Sequence, residues 1–341
     1  MALNDQMIEN EQAETSTPKQ PTPVATPTAP AAKRPLGAFG RFMRNGKAVF
    51  GLSILLAFTL VGIFAPVIAP GNPSAFVARP NQPPSREHWF GTTGQGQDVF
   101  KQTVWGTRIS LGVGFAVGFL VTLFGLVIGM TAGYFGGRVD DILSLITNIV
   151  LVIPGLPLLV TIAAFLPPGP ITIMLVLSFT SWAWNARVFR SQTLSLREKD
   201  FVSASLVSGE SSAYIIFREI LPNMTSLVAA AYLSSTLYGI GAQAGLEFLG
   251  LGNVSLVSWG TLLYWAGNNA GLLTGAWWTF VPAGLCIALV AFALAMVNYA
   301  MDEITNPRLR AEKETARVLK ESSLRNSRAT PVIRQATPSA E

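Results

Sequence analysis

The sequence predicts an all-α membrane protein of six transmembrane helices, with a cytoplasmic helical hairpin between spans four and five. Three observations lead there. Hydrophobic residues make up 50% of the 341-residue chain and charged residues only 13%, about half the charged share of an ordinary soluble domain, and the mean hydropathy is +0.42. Six apolar stretches approach the roughly 20 residues that a helix needs to cross a hydrocarbon core. Between the fourth and fifth lies a charged segment, "FVSASLVSGESSAYIIFREILPN" (residues 201–223), with helical periodicity on both sides of a glycine.

The six stretches are 49–69, 109–134, 142–166, 171–188, 226–248 and 277–299. Pro154 and Pro157 fall in the third and predict a kink or break, because proline removes a helical donor and clashes with the preceding turn. Most of the charge lies outside the stretches. Lys33, Arg34, Arg41, Arg44 and Lys47 precede the first; Arg187, Arg190, Arg197, Lys199 and Arg218 cluster between the fourth and fifth; Arg308, Arg310 and Lys313 follow the last. Between the fifth and sixth there is no Lys or Arg. The positive-inside rule then places both termini and the 187–222 region in the cytoplasm, and 70–107 and 249–276 outside. The Pro-, Thr- and Ala-rich segment 1–34 reads as a disordered cytoplasmic tail, without the form of a secretory signal. The polar segment 311–341 reads as a second, charged cytoplasmic tail. In the second stretch, Gly114, Gly118, Gly125, Gly129 and Gly133 recur every four residues within each group. Such a stripe lets another helix backbone approach, either in this chain or in a second membrane subunit.

The same composition excludes several functions. The stretches read as almost free of ionisable residues, which argues against ion coupling, proton relays and voltage sensing. The one histidine, His88, lies in an external segment, so neither a metal-ligand set nor a nucleophile–base pair is in sight. The nearest approach to a phosphate loop, "GRFMRNGKA" from Gly40, has the wrong glycine spacing, and Ala48 stands where Ser or Thr would hold magnesium. The pI of 9.5 reflects residues that flank apolar spans, and no patch suited to nucleic acid is formed. Cys286 is alone and lies in an apolar run, a structural thiol. The chain is expected to have no catalytic residues, no cofactor and no metal. A carrier of this kind is either passive or driven from outside.

The hairpin, 194–222, is where an external drive would enter. Phe201, Ala204, Leu206 and Val207 can form an apolar side on its first half. On its second, Tyr214, Phe217 and Leu221 fall at i, i+3 and i+7, and Ile216 and Ile220 at i and i+4. Gly209 permits a tight turn and Pro222 closes the hairpin. Two readings stay open: a loop packed on its own helix ends, or a helix inserted into a groove of a soluble partner with a charged rim.

The segment "SASLVSGESSAYIIFREILPN" resembles the cytoplasmic EAA loop of binding-protein-dependent ABC importer permeases, in which Glu-Ala-Ala is followed by Gly and then by Leu-Pro. Ala204, Gly209, Leu221 and Pro222 fit that spacing, while Ser203 and Ser205 stand in place of the usual Glu and second Ala. Glu198, Asp200 or Glu210 could replace the missing acid. "HWFGTTGQGQDVFKQTVWGTRISLGVG" from His88, with Gln97 where Arg is usual, "GYFGGRVDDIL" from Gly133, "WNARVFRSQTLSLREKDFV" from Trp184, "LEFLGLG" from Leu246, "SWGTLL" from Ser258 and "ITNPRLR" from Ile304 also match. Over 35–310 the chain is similar to the C-type membrane subunit of the dipeptide and oligopeptide importers. The resemblance implies type I importer permease architecture in the cell membrane and half of a path for peptides. The implied partners are a second homologous permease, two cytoplasmic ATPase subunits that hydrolyse the ATP, an extracytoplasmic substrate-binding protein and membrane lipid. Phe201, Ser203, Ala204, Ser205, Gly209, Glu210, Leu221 and Pro222 would make the ATPase contact. Oligosaccharide or nickel import by the same machinery is the nearest alternative, and a passive channel or membrane scaffold is the alternative from another class.

Asn148, Ser181, Asn185 and Gln243 are the polar candidates for lining a path; such amides also bond between helices. Outside, 246–278 could be a gate or a binding-protein contact. Equally it could be a re-entrant segment held at the headgroup level by Trp259, Trp265, Trp277 and Trp278. The segment from His88 to Asp98 reads as a packed external cap.

Overall fold

The computed structural model describes residues 42–43 and 45–305, apart from the side chains of the last two. The expected tails and most of the flanking basic residues lie outside the described residues. In chain order the helices are α1 (Gly46–Ile63), α2 (Ala65–Ile68), α3 (Val99–Phe135), α4 (Gly137–Val152), α5 (Gly155–Phe165), α6 (Pro170–Arg197), α7 (Asp200–Val207), α8 (Ser212–Tyr214), α9 (Leu221–Asn223), α10 (Thr225–Phe248), α11 (Trp259–Asn268) and α12 (Val281–Thr305). A π-helical turn, Ile215–Ile220, joins α8 to α9. Among the described residues there is no strand, only two isolated bridges, Phe76 with Gln97 and Thr92 with Asp98.

Helix α3 is the axis of the bundle. Its 37 residues span ~55 Å at about 1.5 Å per residue, well beyond a hydrocarbon core of about 30 Å. It begins ten residues before the expected stretch because the side chain of Asp98 accepts the Lys101 amide at 3.0 Å, an N-cap that needs no apolar sequence behind it. The glycine stripe is filled from within the chain. A Cβ on Gly125 would lie 2.6 Å from Cβ of Asn185, one on Gly129 2.5 Å from the Ala186 carbonyl oxygen, and one on Gly133 2.8 Å from the Arg190 carbonyl oxygen. Gly114 and Gly118 meet Ile240 and Thr236 of α10 in the same way. Side chains close around these contacts. Val113, Val117 and Val121 pack with Leu159, Ile173, Val176 and Leu177, while Leu111 joins Leu55, Ile240, Trp259, Val290 and Leu294 in a second cluster that brings in α1 and α12.

The break at Pro154 is real and large. Helices α4 and α5 meet at 86°. By length and composition three helices can cross a membrane, Gly46–Ile63, Val99–Phe135 and Val281–Glu303, and the bent pair α4–α5 is a fourth if it is one span. Helices α6 and α10 have 28 and 24 residues but carry polar side chains along them, Asn185, Arg187 and Arg190 on one and Ser234, Ser235, Thr236 and Gln243 on the other. One expectation fails outright: Glu247, inside the fifth expected stretch, is an ionisable residue only 3% exposed.

The α3–α6 contact predicts a paired outcome. Gly129→Leu should lower the thermal midpoint of the detergent-purified protein, by overpacking that costs about 1–3 kcal/mol. Gly112→Leu, whose Cβ meets nothing within 4 Å, should leave that midpoint close to the parent value in the same fluorescence melt.

Candidate functional site

Past α6 the chain folds into a compact elbow. Lys199 supplies its carbonyl to the amides of Val202 and Ser203 at 3.0 and 3.2 Å, starting α7. Gly209 ends it, at φ +79°, where its amide donates to Leu206 O and that of Glu210 to Ser205 O, each at 3.1 Å. A left-handed residue closing a helix is the common use of glycine there. Two residues later Ser211 Oγ accepts the Tyr214 amide at 3.2 Å and opens the next helical turn. "SGES" is thus a stop and a start.

The following turn is wider than an α-helix. Leu221 N donates to Ile216 O, five residues back, which is π-helical bonding. In an α-helix residues five apart diverge by about 140°; the wider turn returns Ile215 and Ile220 to one side. Both are fully buried, with Val202, against Met130, Tyr134, Phe189, Leu196 and Met224. This inner face ties the elbow to the ends of α3 and α6. The residues expected to form an apolar side largely face outward. Phe201, Leu206, Tyr214 and Phe217 are exposed, and Val207 is 91% exposed.

Among the other candidate contact residues, Ser203, Ala204, Gly209, Glu210 and Pro222 are exposed. Ser205 is half-buried, its hydroxyl donating to Phe201 O at 3.1 Å. Leu221 packs onto the inner cluster. Glu198 and Asp200 are exposed beside the start of α7. Val202 and Ile215 were not among the named apolar positions, and pairing Ile220 with Ile216 at i, i+4 assumed an unbroken α-helix where a π turn pairs it with Ile215.

Of the four path candidates, two come together. Ser181 and Asn185 line a cleft of about 400 Å³ with Trp184, Ser234, Ser235 and Tyr238, and Asn185 Nδ2 donates to Ser235 Oγ at 2.9 Å. Asn148 lies elsewhere and accepts from Arg187 Nη2 at 2.8 Å. Gln243 is 1% exposed and donates to Glu247 Oε1 at 3.1 Å. Neither of these two lines the cleft. Ser234 and Ser235 were not foreseen, although a Ser-Ser-Thr run inside an apolar helix is a readable sign of an interior face.

Glu247 organises the segment that follows α10. Ser258 Oγ, which caps α11, donates to its Oε2 at 2.5 Å, and Gly252 and Gly260 lie so close that a Cβ on either would strike the Glu247 side chain. Trp259 is fully buried; its amide donates to Ser110 Oγ at 3.1 Å and its indole N–H to Thr103 O at 3.2 Å. The indoles of Trp265 and Trp278 donate to Val254 O and Thr92 O. Of the four tryptophans, Trp259 is fully buried and does not fit headgroup anchoring, Trp265 and Trp278 are half-buried with their ring N–H groups bonded within the protein, and Trp277 is largely exposed. The cap preceding α3 is packed as expected. His88 Nδ1 meets Asp98 Oδ2 at 2.8 Å, and Gln97 donates to Ser74 O and accepts from Gln102.

The described residues thus form a bundle of apolar helices with an elbow that has one packed and one open apolar face, the make-up of a helical membrane protein. Residues 125–311 match the family model for the binding-protein-dependent transport system inner membrane component, and 37–84 match the N-terminal TM domain of oligopeptide transport permease C. The chain is 34% identical over 273 residues to the oligopeptide transport system permease protein OppC of Bacillus subtilis, covering 79% of this chain and 88% of that protein. It is 34% identical over 307 residues to the dipeptide transport system permease protein DppC of Alkalihalophilus pseudofirmus, covering 87% and 97%. A chain from inward-facing structures of the MetNI methionine ABC transporter is similar over 60% of this chain and 94% of its own, at a TM-score of 0.47 and 20% identity. The chain belongs to the binding-protein-dependent transport system inner membrane component family.

Because nothing lies within 4 Å of a Cβ on Gly209, a substitution there acts through the backbone alone. Gly209→Val should add about 1–2 kcal/mol of local strain and raise the rate of limited proteolysis between α7 and α8, with the rest of the bundle equally resistant.

Proposed function

We propose that this chain is one half of the translocation path of a peptide importer, crossing the membrane six times with both termini in the cytoplasm. In this reading α1, α3, the bent pair α4–α5, α6, α10 and α12 are the spans. The chain would pair with a second homologous permease, receive peptide from an extracytoplasmic binding protein and be driven by two cytoplasmic ATPase subunits. ATP is hydrolysed in those partners. The peptide cargo is supported by the relatives named above, an oligopeptide and a dipeptide transport system permease.

The observation that carries the coupling role is the two-sided elbow. Burying Val202, Ile215 and Ile220 against α3 and α6 fixes its inner face, yet Phe201, Leu206, Val207, Tyr214 and Phe217 stay open to solvent. Large apolar side chains held in water on a well-packed segment suit insertion into a partner's groove. Force applied to that outer face would reach α3 and α6 directly. Glu210, at the turn, supplies a charged rim. The Ser181–Asn185 cleft is the most suitable stretch of path surface, since it offers hydroxyl and amide groups beside apolar walls.

Phe217→Asp and Val207→Asp test this in the tagged, membrane-extracted complex. Each should reduce the ATPase subunits that co-purify by about thirtyfold, the loss of a contact worth ~2 kcal/mol, and uptake of a labelled dipeptide should fall in parallel. Undiminished ATPase recovery and uptake in both variants would remove the elbow as the docking element.

A further inference from the structure

A second polar recess lies between α3, α4 and α6, near the end of α6 that leads into the elbow. It measures about 210 Å³ and is lined by Gly129, Ser144, Thr147, Asn148, Arg187 and Arg190 among others. Its two guanidinium groups differ. Arg190 is neutralised by Asp140, with its Nε and Nη2 at 2.5 and 2.6 Å from the two carboxylate oxygens, and Asp141 adds to the attraction. Arg187 has only a neutral partner, the Asn148 amide oxygen at 2.8 Å, and no carboxylate within bonding distance among the described residues. A guanidinium has five donors, so Arg187 retains most of its own for an anion.

Depth and surroundings indicate which anion. Arg187 stands ~25 Å along α6 from Pro170 at about 1.5 Å per residue, close to the thickness of a hydrocarbon core, which is about 30 Å. With α6 as a span and Pro170 at one edge of the hydrocarbon core, Arg187 falls at the level of the opposite lipid phosphates. Alongside, Ile142, Leu145 and Ile149 of α4 are each more than half exposed, an apolar strip on which acyl chains can lie. Basic recesses between helices at this level suit anionic headgroups.

We infer that this recess holds the phosphate of an anionic glycerophospholipid, with Arg187 as its counter-charge and the Leu145–Ile149 strip under its chains. The site rests on the proposed assignment of α6 as a membrane span and on nothing in the peptide or ATPase reading. Asn148 is its determinant: an aspartate there would give Arg187 an internal carboxylate and leave no charge for the lipid.

The experiment is native mass spectrometry of the intact protein from neutral detergent, after incubation with phosphatidylglycerol or phosphatidylcholine. The parent protein should retain phosphatidylglycerol preferentially. Arg187→Gln and, separately, Asn148→Asp should each cut that retention about fivefold, the effect of one basic residue near the surface. Asn148→Asp keeps the arginine and adds an ion pair, so its loss of lipid would not be a folding defect; a melt of both variants checks this. Three results would overturn the assignment: equal retention of the two lipids by the parent, unchanged phosphatidylglycerol retention in both variants, or displacement of the lipid by millimolar inorganic phosphate, which would mark a site for the free ion.

Discussion

The backbone contact between α3 and α6 is the constraint on which the other features depend. Where Gly125, Gly129 and Gly133 meet the Asn185–Thr193 segment, the two helices are closer than any side chain would allow. In a membrane there is little hydrophobic drive to hold helices together, so close dispersion contact and polar bonds must do it. Helix α6 then carries three features. The cleft with Ser181 and Asn185, the recess with Arg187 and Arg190, and the elbow after Arg197 all follow from how this helix is seated on α3. The elbow's inner residues also rest on Met130 and Tyr134 of α3. On the proposed reading, a displacement of the elbow moves both helices of the pair together.

Polar groups inside the bundle are mostly spent on structure. The hydroxyls of Thr103, Thr107, Thr147, Ser178 and Thr236 donate to carbonyls four residues earlier, which satisfies them without any partner helix. Asn185 reaches Ser235 across to α10, and Gln243 and Ser258 converge on Glu247. The last network joins the C-terminal end of α10 to α11, and Trp259 joins α11 to α3. A buried carboxylate is tolerable there because both of its oxygens accept hydrogen bonds. Its hydrogen bonds, from Gln243 of α10 and from Ser258 at the cap of α11, tie α10 to the start of α11.

Much of the fold was legible because the bilayer demands long apolar runs. The helices α1, α3, α10 and α12, the break at Pro154 and the elbow with Gly209 at its turn were all read from spacing and residue type. The errors have local causes. Helix α3 began early because a capping Asp98 and hydrophilic first turns do not register as apolar. Ile220 was paired with Ile216 and Ile215 was passed over because a π turn changes which residues share a side. Trp259, a headgroup anchor in one of the two readings of its segment, is drawn inward by the Thr103 carbonyl from a distant segment. Asn148 and Gln243 look like Asn185 in sequence, yet each is committed to a different neighbour.

The chain alone indicated a helical membrane protein, the place of most of its long helices and the position of the elbow, because burial in lipid and backbone propensity act on runs of neighbouring residues; six spans were expected where three helices, or four with the bent pair, are long and apolar enough to cross. The folded bundle decided that the glycine stripe faces α6 and α10, and that the elbow buries Val202, Ile215 and Ile220 while leaving Phe217 and Val207 in water. It also decided that Arg187 faces an amide where Arg190 faces a carboxylate. Those outcomes depend on which groups from remote parts of the chain come within a few ångströms of one another, and no local pattern carries that distance.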